Sequence, residues 1–325
     1  MHLRGTGYAL IASLMFGFGV VLAKLLSGEI DAVLVAFLSL SIGGLLLTTY
    51  LLFTGNSIFH NLSMLNRADW INIFLLSCIG TALPLLFIVA GFTHTSALEG
   101  GFILQLNGMA ALIFALLLLH ERFRLRQGLG ILLLLIGSML VVLKGSQGGV
   151  DWNSGSLGNL LILAGAIGLG FGFIPAKRLS ERVETLQLTA LRLLLGAATL
   201  LPIVAFQILF QPQSLLWKPT FTSLWALPVY ILTSFCLGYL SQQAGFHLLK
   251  AWEMATIMQT VPLFSTIFAV LLLHDTITPL QAVGGFLAVL GGIIASLSNR
   301  RPVPIASAEV MSLQQESGKD HALHE

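Results

Sequence analysis

The sequence contains very little charge. Only 9% of its 325 residues are Asp, Glu, Lys or Arg, whereas 56% are hydrophobic, and the mean hydropathy is +0.91. A soluble domain of this length needs about a quarter of its residues to be charged in order to cover its surface. This composition therefore excludes a soluble globular protein and indicates that most of the surface faces lipid.

Cysteine is also scarce, and recognised catalytic motifs are missing. Cys78 and Cys236 each lie inside an apolar run, which indicates small core residues rather than a disulfide framework. There is no GxSxG, no GxxxxGK and no HExxH, and HERFR at residues 120–124 lacks the second histidine that a zinc site would need. We therefore expect no enzymatic activity, metal, cofactor or nucleic-acid partner.

What the sequence does contain is a series of apolar runs near the roughly 20-residue length that spans a bilayer. We predict ten transmembrane helices in an all-α integral membrane protein, at residues 7–25, 32–53, 70–92, 97–119, 127–143, 157–176, 186–209, 224–247, 252–273 and 279–297. The segment 299–325 mixes Pro, Ser, Gln and charges without periodicity, so we predict a disordered cytoplasmic tail.

The chain is internally duplicated. Residues 17–26 (GFGVVLAKLL) resemble residues 170–179 (GFGFIPAKRL), and residues 91–138 share 17 identities in 48 positions with residues 245–292. Because each half holds five predicted helices, an odd number, the second half enters the membrane from the opposite side. We predict two inverted repeats, 5–144 and 157–298, joined by a linker at 145–156.

Positive charge differs between the two copies. LLLHERFRLRQ at 117–127 carries three arginines, and its counterpart LLLHDTITPLQ at 271–281 carries none. With the N-terminus inside, twelve of the sixteen Lys and Arg residues fall on cytoplasmic loops or tails and three fall outside. Since cytoplasmic loops keep positive charge, we predict a multi-pass protein of the cell (inner or plasma) membrane with both termini cytoplasmic.

Polar residues inside the predicted spans are candidates for substrate binding, because polar groups in the bilayer usually face a cavity or a partner. The candidate residues are Glu99, Asn107, Arg192, Gln242, Gln243 and Trp252. Arg192 has a second interpretation, in which its side chain extends to the cytoplasmic surface. Trp252 also has one, as a member of an interfacial aromatic belt. Gln105 and its repeat partner Gln259 are assigned to contacts between helices.

Two lysine–glutamate pairs are candidates for gating. Lys24 and Glu99 lie near the predicted outer surface, and the duplication puts their counterparts Lys177 and Glu253 near the inner surface. One hypothesis is that each pair closes one mouth of a pathway. The alternative is that each residue only complements a helix dipole, since the lysines end helices and the glutamates begin them.

These features resemble the EamA-type transporters of the drug/metabolite transporter superfamily. The resemblance rests on residues 95–142, TSALEGGFILQLNGMAALIFALLLLHERFRLRQGLGILLLLIGSMLVV, and on the duplicated frame over residues 5–298. It implies a secondary transporter, an exporter of small metabolites or amino acids, working by alternating access, with protons as a candidate coupling ion. The alternatives are a lipid-moving or structural membrane protein and, disfavoured by the missing catalytic motifs, a membrane-embedded enzyme. The sequence specifies neither the substrate nor an oligomeric state.

Overall fold

The computed structural model of the chain is built from α-helices packed side by side. It describes residues 2–26, 29–54, 62, 65–92, 103–104, 106–120, 125–142, 156–211, 217–218, 220–273 and 279–297. Over these ranges helices are the only regular secondary-structure elements, and one isolated β-bridge joins Ile30 to Trp217.

The helices of the first half are α1 (His2–Leu26), α2 (Ala32–Phe53), α3, α4 (Leu106–Leu118) and α5 (Leu125–Val142). Helix α3 consists of Arg67–Phe74, a π-helical segment Leu75–Ala82, and Leu83–Phe92. The second half contains α6 (Ser156–Ser180), α7 (Thr185–Phe210), α8, α9 and α10 (Pro279–Leu297). Helix α8 consists of Phe221–Tyr230, a π-helical segment Ile231–Gly238, and Tyr239–Leu248. Helix α9 consists of Ala251–Met258 and Val261–Leu273.

The local sequence explains several of these boundaries. Asp31 begins α2 by accepting hydrogen bonds from the backbone N–H groups of Val33 and Leu34. Helix α4 ends at Leu118, and His120, two residues later, has a φ of 53° in the left-handed region that stops a helix. Helix α9 is interrupted between Met258 and Val261, because Pro262 has no N–H to donate and disfavours helix before it.

Within the described part of the chain, seven helices are long and apolar enough to cross a membrane. They run over His2–Ala23, Val33–Phe53, Arg67–Ile88, Leu157–Ser180, Thr185–Phe210, Phe221–Leu248 and Ala251–Leu272. Three shorter apolar stretches, Leu106–Leu118, Gly128–Gly137 and Ala282–Gly291, coincide with the other three predicted spans. The chain is therefore a helical multi-pass membrane protein, as its composition predicts.

The helices contact one another in a regular pattern. Helix α1 packs against α8 and α9, and helix α6 packs in the same way against α3 and α4. Helix α2 packs along α7, and α5 packs along α10. The largest buried clusters join α2 to α7 and α8, and α1 to α3, α6 and α8.

Small residues sit where helix backbones approach most closely. A Cβ atom built on Gly172 of α6 would lie 2.9 Å from the Gly80 Cα atom of α3, and one built on Gly168 would lie 2.7 Å from the Pro84 ring. On the other side, Gly137 of α5 faces the backbone of α10 at Gly284 and Ala288. At these positions the absence of a larger side chain lets the helix backbones approach each other closely.

Polar contacts join helix ends in separate parts of the chain. The Glu29 carboxylate, after α1, accepts a 2.8 Å hydrogen bond from the Thr220 hydroxyl at the start of α8. A second contact joins α6 to α3, where Arg182 donates to both carboxylate oxygens of Asp69, each at 3.2 Å. Because Asp69 begins α3 and Arg182 follows α6, these two helices run antiparallel to each other.

Candidate functional site

A buried polar cluster lies where α3, α7 and α8 meet, with Arg192 at its centre. The Arg192 side chain is 6% exposed. Its Nε donates to the Thr81 hydroxyl at 2.7 Å, and its Nη1 donates to Gln242 Oε1 at 3.0 Å. Its Nη2 lies 3.5 Å from the Gly80 carbonyl, and its Cζ lies 4.2 Å from the centre of the Tyr239 ring. We call Gly80, Thr81, Arg192, Tyr239 and Gln242 the Arg192 cluster.

This geometry argues against one of the two interpretations of Arg192. A side chain that extended to the cytoplasmic surface would be exposed at its guanidinium and bonded to water or loop groups. Instead, the guanidinium turns inward and bonds to α3 and α8. Extension of the Arg192 side chain to the cytoplasmic surface is therefore wrong for this structure, and substrate binding by Arg192 stays a prediction.

The two π-helical segments border the Arg192 cluster. Thr81 lies in the π-helical part of α3, and its hydroxyl donates to the Leu76 carbonyl five residues back at 2.8 Å while accepting from Arg192. Tyr239 directly follows the π-helical part of α8. A π-helical turn redirects side chains and backbone groups relative to an α-helix, and such turns are frequent at functional sites.

A second polar cluster joins the ends of α6 and α8. The Lys177 ammonium donates to the Phe246 carbonyl at 2.7 Å and lies 3.5 Å from Glu181 Oε1. The Ser180 hydroxyl contacts the same Phe246 carbonyl at 3.1 Å. One turn further into the membrane, Gln243 donates to the Ala176 carbonyl at 3.1 Å. Gln243 therefore links α8 to α6 rather than contacting Arg192.

Glu253 and Trp252 lie at the start of α9 and occupy different surroundings. Glu253 accepts from the backbone N–H of Lys250 at 2.9 Å and lies 3.3 Å from the His2 imidazole, with 7% of the residue exposed. Trp252 is 2% exposed and packs in an apolar cluster with Ile174 and other residues of α4, α5 and α6. The structure thus places Trp252 in the protein interior, away from an interfacial belt.

The remaining candidates lie around α4. Asn107 is partly exposed, and its backbone carbonyl faces Gly170 of α6. The Gln259 amide packs against Gly108, so Gln259 contacts α4. This is a contact between helices, the role predicted for Gln259 from the sequence. Glu99, Gln105 and the side chain of Lys24 lie outside the described residues.

Sequence reasoning did not single out Gly80 and Thr81. A signal for them exists, because SCIGT at 77–81 resembles FCLGY at 235–239 in the second half, with Gly80 matching Gly238 and Thr81 matching Tyr239. The two segments lie in the two π-helical helices. Gln187 was also missed, although it is 1% exposed and its amide has no hydrogen-bond partner among the described residues.

Comparison with known proteins identifies the family. The profile of the EamA-like transporter family matches residues 3–143 and 156–297, which is nearly the whole chain.

This chain belongs to the EamA-like transporter family.

Several curated proteins of bacteria and archaea are similar to this EamA protein. One from Methanothermobacter thermautotrophicus is 22% identical over 87% of this chain and 83% of the relative. Bacillus subtilis YetK is 25% identical over 93% of this chain and 89% of the relative, and YyaM is 29% identical over 65% and 68%. All three are described as uncharacterized transporters.

A solved crystal structure shares the fold of this EamA protein. The two chains superpose with a TM-score of 0.77 at 20% identity, over 91% of this chain and 98% of the other. Family and fold together confirm the resemblance noted in the sequence. The molecule is a multi-pass membrane transporter, and its family implies a small-molecule substrate.

Proposed function

We propose that this EamA protein is a secondary transporter that exports small metabolites or amino acids by alternating access across the cell inner membrane. The observation that carries the proposal is the Arg192 cluster, a group of buried polar side chains within helices long enough to span a bilayer. Such groups are costly to insert and usually mark a substrate pathway. The cluster draws on α3 from the first half of the chain and on α7 and α8 from the second.

The proposed architecture is ten transmembrane helices in two inverted five-helix repeats. Its support is the pairing of the helices. A twofold relation in the membrane plane exchanges α1 with α6, α3 with α8 and α4 with α9, and it maps the α1 contacts onto the α6 contacts. It also makes α7 the counterpart of α2 and α10 the counterpart of α5, and both pairs pack on each other. Two equivalent halves provide two alternative packings, one open to each side.

We assign substrate contact to Arg192 and Gln242 first. Asn107, Gln243, Glu99 and Trp252 complete the set of proposed substrate-binding residues. In the present conformation Gln243 and Trp252 contact protein groups, so their role in transport depends on rearrangement of α8 and α9.

Gating is assigned to Lys24 with Glu99 at the outer mouth and Lys177 with Glu253 at the inner mouth. In this conformation Lys177 contacts Phe246 and Glu181, and Glu253 contacts Lys250 and His2. The pair is expected to form in the other state. Lys177→Glu and Glu253→Lys should each reduce flux, and the double reversal should restore much of it. Defects that simply add in the double variant would contradict the pairing.

The transport proposal is tested with purified protein in liposomes. Radiolabelled amino acids and small carboxylic acids are trapped inside, and their loss is followed with and without a pH gradient. Protein-dependent, saturable efflux of at least one solute is expected. Scrambling of a fluorescent phospholipid without solute flux would instead favour the lipid-moving alternative.

Orientation is tested separately in intact cells. In a variant that lacks both native cysteines, new cysteines at Gln147 and Lys218 should react with an impermeant thiol reagent, because the charge distribution puts these loops outside. Cysteines at Asn61 and Gln127 should react only after the membrane is permeabilised. The reverse labelling would invert the proposed topology.

A further inference from the structure

Arg192 lacks a counter-ion within the described part of the chain. All of its contacts there are with neutral groups: a hydroxyl, a side-chain amide, a backbone carbonyl and an aromatic ring. The described carboxylates lie at or beside helix ends, and none of them forms an ion pair with Arg192; they are Glu29, Asp31, Asp69, Glu181, Glu184 and Glu253. Within the described residues, the buried positive charge is thus held by hydrogen bonds and by the Tyr239 ring.

The Arg192 guanidinium carries more N–H donors than the described residues provide acceptors for. A guanidinium has five N–H groups. Thr81 uses the Nε–H, Gln242 uses one N–H of Nη1, and the Gly80 carbonyl uses at most one N–H of Nη2. Counting only the described residues, one N–H on each terminal nitrogen is left, which is the number that a bidentate carboxylate engages. The Gln242 amide nitrogen likewise donates to none of the described residues.

An aromatic surface adjoins these donors. The Tyr239 ring lies beneath the guanidinium, and it contacts the rings of Phe16 at 5.1 Å and Phe235 at 5.9 Å between centroids. Aromatic faces bind apolar groups and also stabilise a nearby cation. The cluster therefore offers a cationic fork beside an apolar wall.

We propose that the Arg192 cluster binds the carboxylate of a small organic anion that also carries an apolar group. This inference rests on the proposed transport function, because it names the substrate class of the same site. One anionic charge neutralises Arg192, whereas a dianion would leave net negative charge within the membrane. The carboxylate accepts from the two terminal nitrogens, and the apolar group packs against Tyr239.

The same chemistry could come from an anionic lipid headgroup, so the test separates the two sources. The protein is purified in a detergent with a neutral headgroup, and its thermal unfolding is measured with sodium acetate, benzoate or 3-phenylpropionate. The corresponding amides and sodium chloride serve as matched ligands without the carboxylate. Phosphatidylglycerol is added in a separate arm.

For the wild type, a Tm rise of a few degrees is expected with the carboxylates, largest for those with a ring, and no rise with the amides. Equal stabilisation by carboxylate and amide, no stabilisation by any carboxylate, or stabilisation by phosphatidylglycerol alone would each overturn the proposal.

The informative variant is Gln242→Glu. It keeps the size of the side chain and puts a carboxylate at the position that accepts from Arg192 Nη1 at 3.0 Å. This internal anion takes the place of the ligand, so the variant should be at least as stable as the wild type without ligand and should lose the carboxylate-dependent rise. The control is Gln211→Glu, the same change at an exposed position about 28 Å along α7 from Arg192. A Gln242→Glu variant that keeps the full rise contradicts the proposal.

Arg192→Lys distinguishes ligand binding from a purely structural role. Lysine keeps the charge but not the planar fork, so carboxylate affinity should fall at least tenfold. Unchanged carboxylate affinity in a folded Arg192→Lys variant would overturn the proposal that the planar guanidinium binds the carboxylate. Carboxylate binding without flux of any solute would refute the transport proposal and leave the site standing. Flux restricted to neutral or cationic solutes would refute this inference and leave transport standing.

Discussion

Replacing Gly172 by alanine should destabilise the protein and impair transport, because α3 and α6 leave no room for a methyl group between them. The added Cβ would lie 2.9 Å from the Gly80 Cα and 3.0 Å from the Gly80 carbonyl oxygen. Ordinary contacts between such atoms begin at about 3.5 Å, so the helices must separate by about 0.6 Å. Both contacted atoms belong to the backbone, and no side chain can rotate away to relieve the overlap.

Overpacking of this kind costs about 1–3 kcal/mol. For a chain of this size each kcal/mol lowers Tm by roughly 2–4 °C, so a drop of about 2–12 °C is expected. The displaced Gly80 carbonyl is also the group that Arg192 Nη2 approaches at 3.5 Å. We therefore expect reduced flux in liposomes in addition to the lower Tm.

The matched control is Gly196→Ala. Gly196 is also a buried glycine within a span, but its added Cβ would meet its nearest neighbour, Leu40 Cδ1, at 3.5 Å, an ordinary contact. Alanine also favours helix over glycine by up to about 1 kcal/mol, so this variant should be neutral or more stable. The reasoning is refuted if both variants have the Tm of the wild type, or if both lose the same amount.

Three further substitutions are expected to change Tm in defined directions. His120→Gly should raise Tm slightly, because glycine removes the roughly 1 kcal/mol cost of a φ of 53°, and a fall in Tm would mean that the imidazole contributes more than the strain costs. Asp69→Asn should lower Tm by about 2–4 °C by weakening the bond from Arg182, and an equal loss in an Arg182→Ala background would contradict this coupling. Hydrogen bonds, chiefly from the Thr220 hydroxyl, hold the pKa of Glu29 below its ordinary 4.5. Their stabilisation is present above pH 4.5 and is lost as pH falls through the lowered pKa, so the Tm deficit of Thr220→Val should shrink between about pH 6 and pH 3; a constant deficit would contradict this linkage.

Part of this molecule could be predicted from the sequence because it depends on composition and local pattern. A scarcity of charge and apolar runs of bilayer length require a membrane protein whatever the helices contact. The family is likewise recognisable from residues 95–142 and their copy. Several helix ends follow from local side chains, as at Asp31, whose carboxylate caps α2.

The surroundings of Arg192 could not be obtained in that way. Its position about two turns into α7 is compatible with a side chain that runs to the surface or one that turns inward. The choice depends on Thr81, which is 111 residues away, and on Gln242, which is 50 residues away. Helical periodicity gives the direction of a side chain from its own axis but not which neighbour is there.

The two π-helical segments likewise depend on tertiary contacts and could not be predicted from the local sequence. Neither LLSCIGTA nor ILTSFCLG contains a residue that requires a wider turn, and both are composed of residues found in ordinary membrane helices. The wider turn brings Thr81 to Arg192 and leaves Gly80 against Gly172, so its value lies in contacts made by other helices. The sequence by itself determined that this chain crosses a membrane and to which family it belongs. Tertiary packing decided where its buried charge points, because that direction is set by partners that only the folded chain brings together.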